Sequence, residues 1–245
     1  MIRNPALIPL GVALVVALAV PAHAAFDAAP LDGILKKAVK GRFVDYDAVQ
    51  TDVETLKTFV AAVAAAKPAD LGGKNDQLAF YANAYNANVL LAVLDNKRPK
   101  SVLDVKGFFD AAKFTVAGES FTLNQLEEKK IRSAGDPRVH FAVNCASFDC
   151  PPLHAAAFTG KNWERDLERL TKDFLNRKDE VAIDDAKKEI RVVQIFEWYQ
   201  KDWGDETKAR AFIAKYLAPE LGAKVTDATF KLAYRPYDWR NNGKK

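Results

Sequence analysis

Asp76-Gln-Leu-Ala-Phe-Tyr-Ala-Asn-Ala-Tyr-Asn-Ala-Asn-Val-Leu-Leu-Ala-Val-Leu-Asp95 is the longest helical signal in the chain. Leu78, Tyr81, Tyr85, Val89 and Ala92 fall on one face, and apolar residues continue around the cylinder. A helix that is apolar all round belongs inside a protein, so this stretch predicts a central buried helix. Asn83 and Asn86 sit three residues apart on a shared face. Asparagine is a poor helix former, so a buried pair needs a reason. Two reasons compete: a network tying the helix to loop backbone, or amide donors for a substrate carbonyl or developing oxyanion.

Elements on both sides of this helix complete the plan. Residues 31–39 form a short helix stopped by Gly41, and 52–66 an Ala-rich helix followed by Pro68. Residues 114–122 read as a hairpin turning at Gly118. Thr122 starts a capping box for a helix over 123–132. The alternation over 138–144 predicts a strand. Pro151 suits the first turn of a helix running to Phe158. A helix over 163–175 and a hairpin over 181–193, turning at 185–187, come next. Two short helices, 193–203 and 207–217, flank Gly204, and 230–237 is a last strand. Helices outnumber strands and the strands fall into hairpins. The expected fold is α+β, a helix-rich single domain with a small, mainly antiparallel sheet.

The chain has 245 residues, 49% of them apolar and 28% charged, with a formal charge of +4. That composition excludes a disordered chain. The basic excess is small and forms no stripe with aromatic residues, so nucleic acid is not an expected partner. Residues 1–24 read as a signal peptide, with Arg3, an apolar stretch over 7–20 and Ala22-His23-Ala24 as the cleavage pattern. Pro9 and Gly11 leave the run short of the ~20 apolar residues a spanning helix needs. The expected mature domain is 25–245, periplasmic or secreted, with no membrane span and no cofactor. Cleavage removes His23 and leaves His140 and His154.

Both of these histidines and both cysteines lie within Arg138-Val-His-Phe-Ala-Val-Asn-Cys-Ala-Ser-Phe-Asp-Cys-Pro-Pro-Leu-His154. Four chemistries fit such a cluster. Cys150, at the start of a helix, gains thiolate character from the helix dipole, with His140 as base and Glu127 fixing its tautomer. Asp149 opposes this, because a neighbouring negative charge raises a thiol pKa. A Cys145–Cys150 disulfide is the structural alternative, allowed by export. His140, Cys145, Cys150 and His154 together offer zinc two nitrogens and two sulfurs, at a spacing unlike the usual zinc motifs. Plain burial is the fourth. His154 is a second candidate base. Trp198-Tyr199 and 234–239 concentrate aromatic residues, which most often means core.

Four blocks resemble the DUF547 family, a domain of unknown function. They are Leu78-Ala-Phe-Tyr-Ala-Asn-Ala-Tyr-Asn86, the Leu-x-x-Leu-Glu-x-x-x-x-Arg pattern of 123–132, Arg138 to Cys145 with Cys150-Pro-Pro-Leu153, and Phe196-Glu-Trp-Tyr199 with Tyr237-Asp-Trp239. The motif-bearing core runs over about 78–242. Tyr81 stands where the family often has Trp, and Trp203 where Phe is common. Asn83, Tyr85, Asn86, Glu127, Arg138, His140, Cys145 and Cys150 fall on motif positions. The resemblance implies a Cys-His-Glu constellation related to papain- or transglutaminase-type folds. The expectation is an exported hydrolase- or acyltransferase-like site for a peptide or small acyl compound. In it Cys150 or Cys145 is the nucleophile, His140 the base and Glu127 its orienting group, with Asn83, Asn86, Tyr85 and Arg138 at the substrate. A binding module with a structural disulfide and a thiol–disulfide redox protein are the alternatives.

Overall fold

The computed structural model describes residues 26–244, so the segment 1–24 read as a signal peptide lies outside the described residues. Helix α1 (Ala29–Ala38) leads into a two-residue hairpin of β1 (Val39–Lys40) and β2 (Phe43–Val44). Helix α2 (Tyr46–Thr51) is capped by Asp45, whose carboxylate accepts the Asp47 and Ala48 N–H groups. Helix α3 (Val53–Ala65) follows, and then α4 (Lys74–Asp95), the long helix of the sequence reading. Every residue from 78 to 90 is buried, as expected of a helix apolar on all sides. Helix α4 packs against α3 and α6, described below, and against the segment that follows the next hairpin.

That hairpin pairs β3 (Phe114–Val116) with β4 (Glu119–Phe121). Its turn residues Ala117 and Gly118 both have positive φ, the pattern that matches strand twist. The Thr122 capping box forms as read, with Gln125 N–H donating to the Thr122 hydroxyl at 3.2 Å. The helix itself departs from expectation. Regular α5 covers only Leu123–Leu126, and the backbone then widens into a π-helical turn over Glu127–Ile131. Such turns rotate the side chains that follow them and recur at functional sites.

Two local expectations are corrected. Residues 138–144 are not a strand: Pro137–Phe141 is a 3₁₀ helix, capped by Asp136, which accepts the Arg138 N–H at 2.9 Å. The apparent alternation has no solvent face, because 139–144 are all buried. Residues 151–158 are not helical either. A residue preceding proline is pushed out of the α region, and Cys150 and Pro151 each precede one. Cys150 therefore sits in a loop and has no helix dipole behind it.

Helix α6 (Trp163–Leu175) precedes a three-stranded sheet. Strands β5 (Val181–Asp184) and β6 (Glu189–Val193) are antiparallel, as expected. Helices α7 (Ile195–Trp198), α8 (Gln200–Trp203), α9 (Glu206–Tyr216) and α10 (Pro219–Thr226) follow. Strand β7 (Lys231–Arg235) then returns parallel to β6. The fold is thus helix-rich α+β with small, mainly antiparallel sheets. Its interior has two apolar clusters, one around α1, α3 and α4, the other between the β5–β6–β7 sheet and α7 to α9. Helix α6 spans both, with Trp163 and Leu167 in the first and Phe174 and Leu175 in the second. Among the described residues, no helix is long and apolar enough to cross a membrane.

Candidate functional site

A cavity of about 260 Å³ opens where the two clusters meet, and Glu127, His140, Cys145 and Cys150 all line it. The seam between packed layers is a common place for a ligand site. These four residues arrive from three pieces of irregular backbone. The π-helical turn presents Glu127, the 3₁₀ helix presents His140, and the loop after it carries the cysteines.

The cysteine loop is bent sharply. Ala146 has φ +61°, a costly conformation for a residue with a side chain, held by buried hydrogen bonds. The Asn144 amide oxygen accepts the Ala146 N–H at 2.9 Å, and its nitrogen donates to the Pro151 carbonyl at 2.8 Å. The loop is therefore closed on itself by one buried asparagine.

The two sulfurs have different surroundings. Both are free thiols, so the disulfide alternative is not the bonding found. Cys145 is half-buried, while Cys150 is buried. The Cys145 sulfur lies 2.9 Å from the Ser147 hydroxyl and 3.4 Å from the Tyr237 hydroxyl. Burial by itself raises the Cys145 pKa. Hydrogen bonds from Cys150, Ser147 and Tyr237 outweigh it and bring the thiol down to about 7. Burial and the neighbouring Cys145 charge push Cys150 up instead. Cys150 is thus a proton-holding donor, with the Val143 carbonyl 3.9 Å away and the Cys145 N–H aimed at its sulfur at 3.0 Å.

His140 is 4% exposed, and its Nε2 lies 2.8 Å from Asp202 Oδ2. The ring rests on Tyr199, centroids 4.3 Å apart, and on Trp203 at 5.2 Å. Arg132 grips the same Asp202 with two nitrogens, at 2.6 and 3.0 Å. Despite partial burial, the hydrogen bonds from His140 and Arg132 hold the Asp202 carboxyl well below the usual carboxylate range. Asp202 was missed by the sequence reading. It stands on α8, 62 residues after His140, between the Phe196–Tyr199 block and Trp203, in positions that the block itself does not include.

Glu127 is buried, and desolvation raises its pKa, partly offset by the charges of His140 and Arg132 and by hydrogen bonds to Tyr199 and Tyr85. Tyr85, one turn along α4 from Tyr81, lines the cavity too. The carboxylate bonded to His140 Nε2 is that of Asp202, while Glu127 bonds to the two tyrosines.

Asn83 and Asn86 point into protein. The Asn86 amide donates to the Ala142 carbonyl and accepts the Asn144 N–H, both at 2.9 Å. Asn83 does the same for Phe158, at 2.8 and 2.9 Å. Neither lines the cavity. Arg138 is also elsewhere, paired with Asp136, Glu164 and Glu168 at the start of α6. His154 is on another face, its Nε2 2.6 Å from an Arg169 nitrogen and its ring stacked on Phe158. The four-ligand zinc set is therefore not brought together. No group of three or more His, Cys, Asp or Glu side chains among the described residues is placed to hold a metal ion.

Asp149 is buried beside Cys150, yet its charge is matched. Arg235 bonds to it and, at 2.6 Å, to Glu180. The aromatic residues read as core are in part the mouth of the cavity: Trp198, Tyr237 and Trp239 line it, and Trp198 is 43% exposed. The segment bearing Tyr237 and Trp239 crosses the cysteine loop. Phe148 N–H donates to Arg240 O, Asp149 N–H to Asp238 O and Asn242 N–H to Ala146 O.

The chain matches no curated protein and no solved structure. A family model described as "Protein of unknown function, DUF547" matches residues 68–175, which include α4, Glu127, His140 and both cysteines. The match leaves out residues 195–239, which add the remaining wall of the cavity.

Proposed function

We propose that the cavity is a thiol acyl-transfer site in which Cys145 is the nucleophile, His140 the acid–base and Asp202 its orienting carboxylate. The observation that carries this reading is the convergence of Ser147, Tyr237 and Cys150 donors on the Cys145 sulfur, in a cavity that His140 also lines. A thiolate is the reactive form of cysteine, and those donors favour it near neutral pH. An imidazole that donates from Nε2 to a carboxylate keeps Nδ1 as its basic nitrogen.

The Cys145 sulfur attacks the acyl carbon, a C–S bond forms, and the bond to the leaving group breaks as His140 protonates it. Neutral His140 then takes a proton from water, or from an acceptor hydroxyl or amine, which attacks the thioester. The sum is transfer of the acyl group to that acceptor, with thiolate and imidazolium restored. Glu127, whose pKa burial raises and the His140 charge partly lowers, supports the imidazolium when ionised. Cys150 serves as a hydrogen-bond donor to the thiolate. Asn83 and Asn86 hold the loop, and Arg138 ties the 3₁₀ helix to α6. The substrate is a peptide or other acyl compound, met in the exported setting that residues 1–24 suggest.

p-Nitrophenyl acetate tests the scheme. The expected result is a stoichiometric burst of p-nitrophenolate followed by slower turnover. Cys145→Ala abolishes the burst, and Cys150→Ala retains it. His140→Ala lowers turnover on the order of 100-fold, the usual scale of a lost acid–base group. A wild-type protein without a burst, or an undiminished burst in Cys145→Ala, rejects the proposal.

A further inference from the structure

We infer that the site takes an uncharged acyl group with a flat apolar face, laid against Trp198, Tyr237 and Trp239, and discriminates against anionic ones. The inference rests on the acyl-transfer reading and adds the class of substrate. Two independent features of the cavity support it.

The first is the wall. Trp198 and Trp239 are stacked, with centroids 5.5 Å apart and planes at 24°. Tyr237 contacts both, at 4.8 and 4.6 Å. Three rings in mutual contact fix one another, so the surface is formed before a ligand arrives and little ordering cost falls on binding. Helix α7 buries Ile195 and Phe196 but leaves Trp198 open at the cavity mouth. Aromatic faces favour other flat groups through offset or edge contacts. At about 260 Å³ the cavity is near the small end for ligand sites, with room for one ring-sized group beside the reacting carbonyl.

The second is charge. No lysine or arginine lines the cavity. Its ionisable groups are Glu127, the two cysteines, three tyrosines and His140, whose Nε2 is already engaged by Asp202 at 2.8 Å. Arg132 is close behind but is spent on Asp202 and lies over the Tyr199 ring at 4.5 Å. An entering carboxylate or phosphate would lose its water, face the Cys145 thiolate and the Glu127 carboxyl, and find no free cation. A neutral amide or ester carries no such penalty.

The test compares alkylation of Cys145 by iodoacetamide, N-benzyl iodoacetamide and iodoacetate, each rate divided by that with glutathione at the same pH. The expected order is benzyl above iodoacetamide by about tenfold, and iodoacetate below it by about tenfold. Trp198→Ala is expected to lose the benzyl advantage and Trp198→Phe to keep it. Equal normalised rates, or faster iodoacetate, overturn the inference. A Cys145 inert to all three reagents overturns the acyl-transfer reading alone. The wall is then read by tryptophan fluorescence in Cys145→Ser, where quenching by benzamide and not by benzoate supports it, and no quenching by benzamide overturns it.

Discussion

Cys145 owes its low pKa to hydroxyl and thiol donors, without an adjacent cation among the leading causes, so the effect is divisible. Tyr237→Phe removes one donor and is expected to raise the midpoint of Cys145 alkylation from about 7 toward the ordinary thiol value near ~8.5. Mass mapping of the alkylated peptide across pH checks this. Asp202 makes a prediction of opposite sense. Its carboxyl is held below the unfolded value, so the ionised form stabilises the fold above about pH 4, and this contribution fades as pH falls further. Asp202→Asn is therefore expected to be less stable than wild type at pH 6, with the gap narrowing below about pH 4 in urea melts. At this scale the sequence was half legible. The cysteines and histidines are rare and clustered, which drew the eye to 138–154. Which sulfur is activated depends on Tyr237, 92 residues away, and the partner of His140 is Asp202; neither contact leaves a local pattern.

Among the elements, α4 was legible because its burial repeats over many turns, whereas short irregular pieces were not. The alternation at 138–144 resembles a strand until Pro137 and the Asp136 cap are weighed, and Pro152 denies Pro151 a helix. These irregular pieces carry the site, and α4 holds them through its asparagines. Asn86 pairs with both groups of the loop backbone, and Asn144 passes the support on to Ala146 and, through Asn242, to the Tyr46 hydroxyl. Asn86→Ala leaves a buried carbonyl and a buried N–H without partners, at about 1–3 kcal/mol each. The expected loss is about 3 kcal/mol in chemical denaturation. Near-zero loss would mean that the loop is held by other contacts. Gly160 has a different duty at the same helix. A Cβ there would come within 2.0 Å of Asp76 Oδ1, so the 158–160 loop can approach the α4 N-terminus only with glycine at that position.

Across the whole molecule, the helix-rich α+β class followed from hairpin-sized strands and long helices, both read from local pattern. The division into two apolar clusters did not, because it depends on which faces meet. Arg235 closes the gap between distant parts, joining β7 to buried Asp149 in the cysteine loop and to buried Glu180 ahead of β5. Arg235→Gln removes the cation shared by two buried carboxylates, leaving Glu180 with Arg42 at 3.7 Å and Asp149 with the Asp238 N–H, and is expected to cost roughly 3 kcal/mol, the low end for a broken buried ion pair. A thermal melt at neutral pH reads this directly, and a gap that narrows toward acid pH assigns the loss to charge.

The crossing of the cysteine loop by residues 238–242 has a consequence in time. A ribosome makes the loop about 90 residues before it makes the strap, which at ~5–20 residues per second is a delay of several seconds or more. Until then Cys145 lacks the Tyr237 hydroxyl, one of the three donors that lower its pKa. Full activation of the sulfur thus waits until the strap has been made and has docked on the loop.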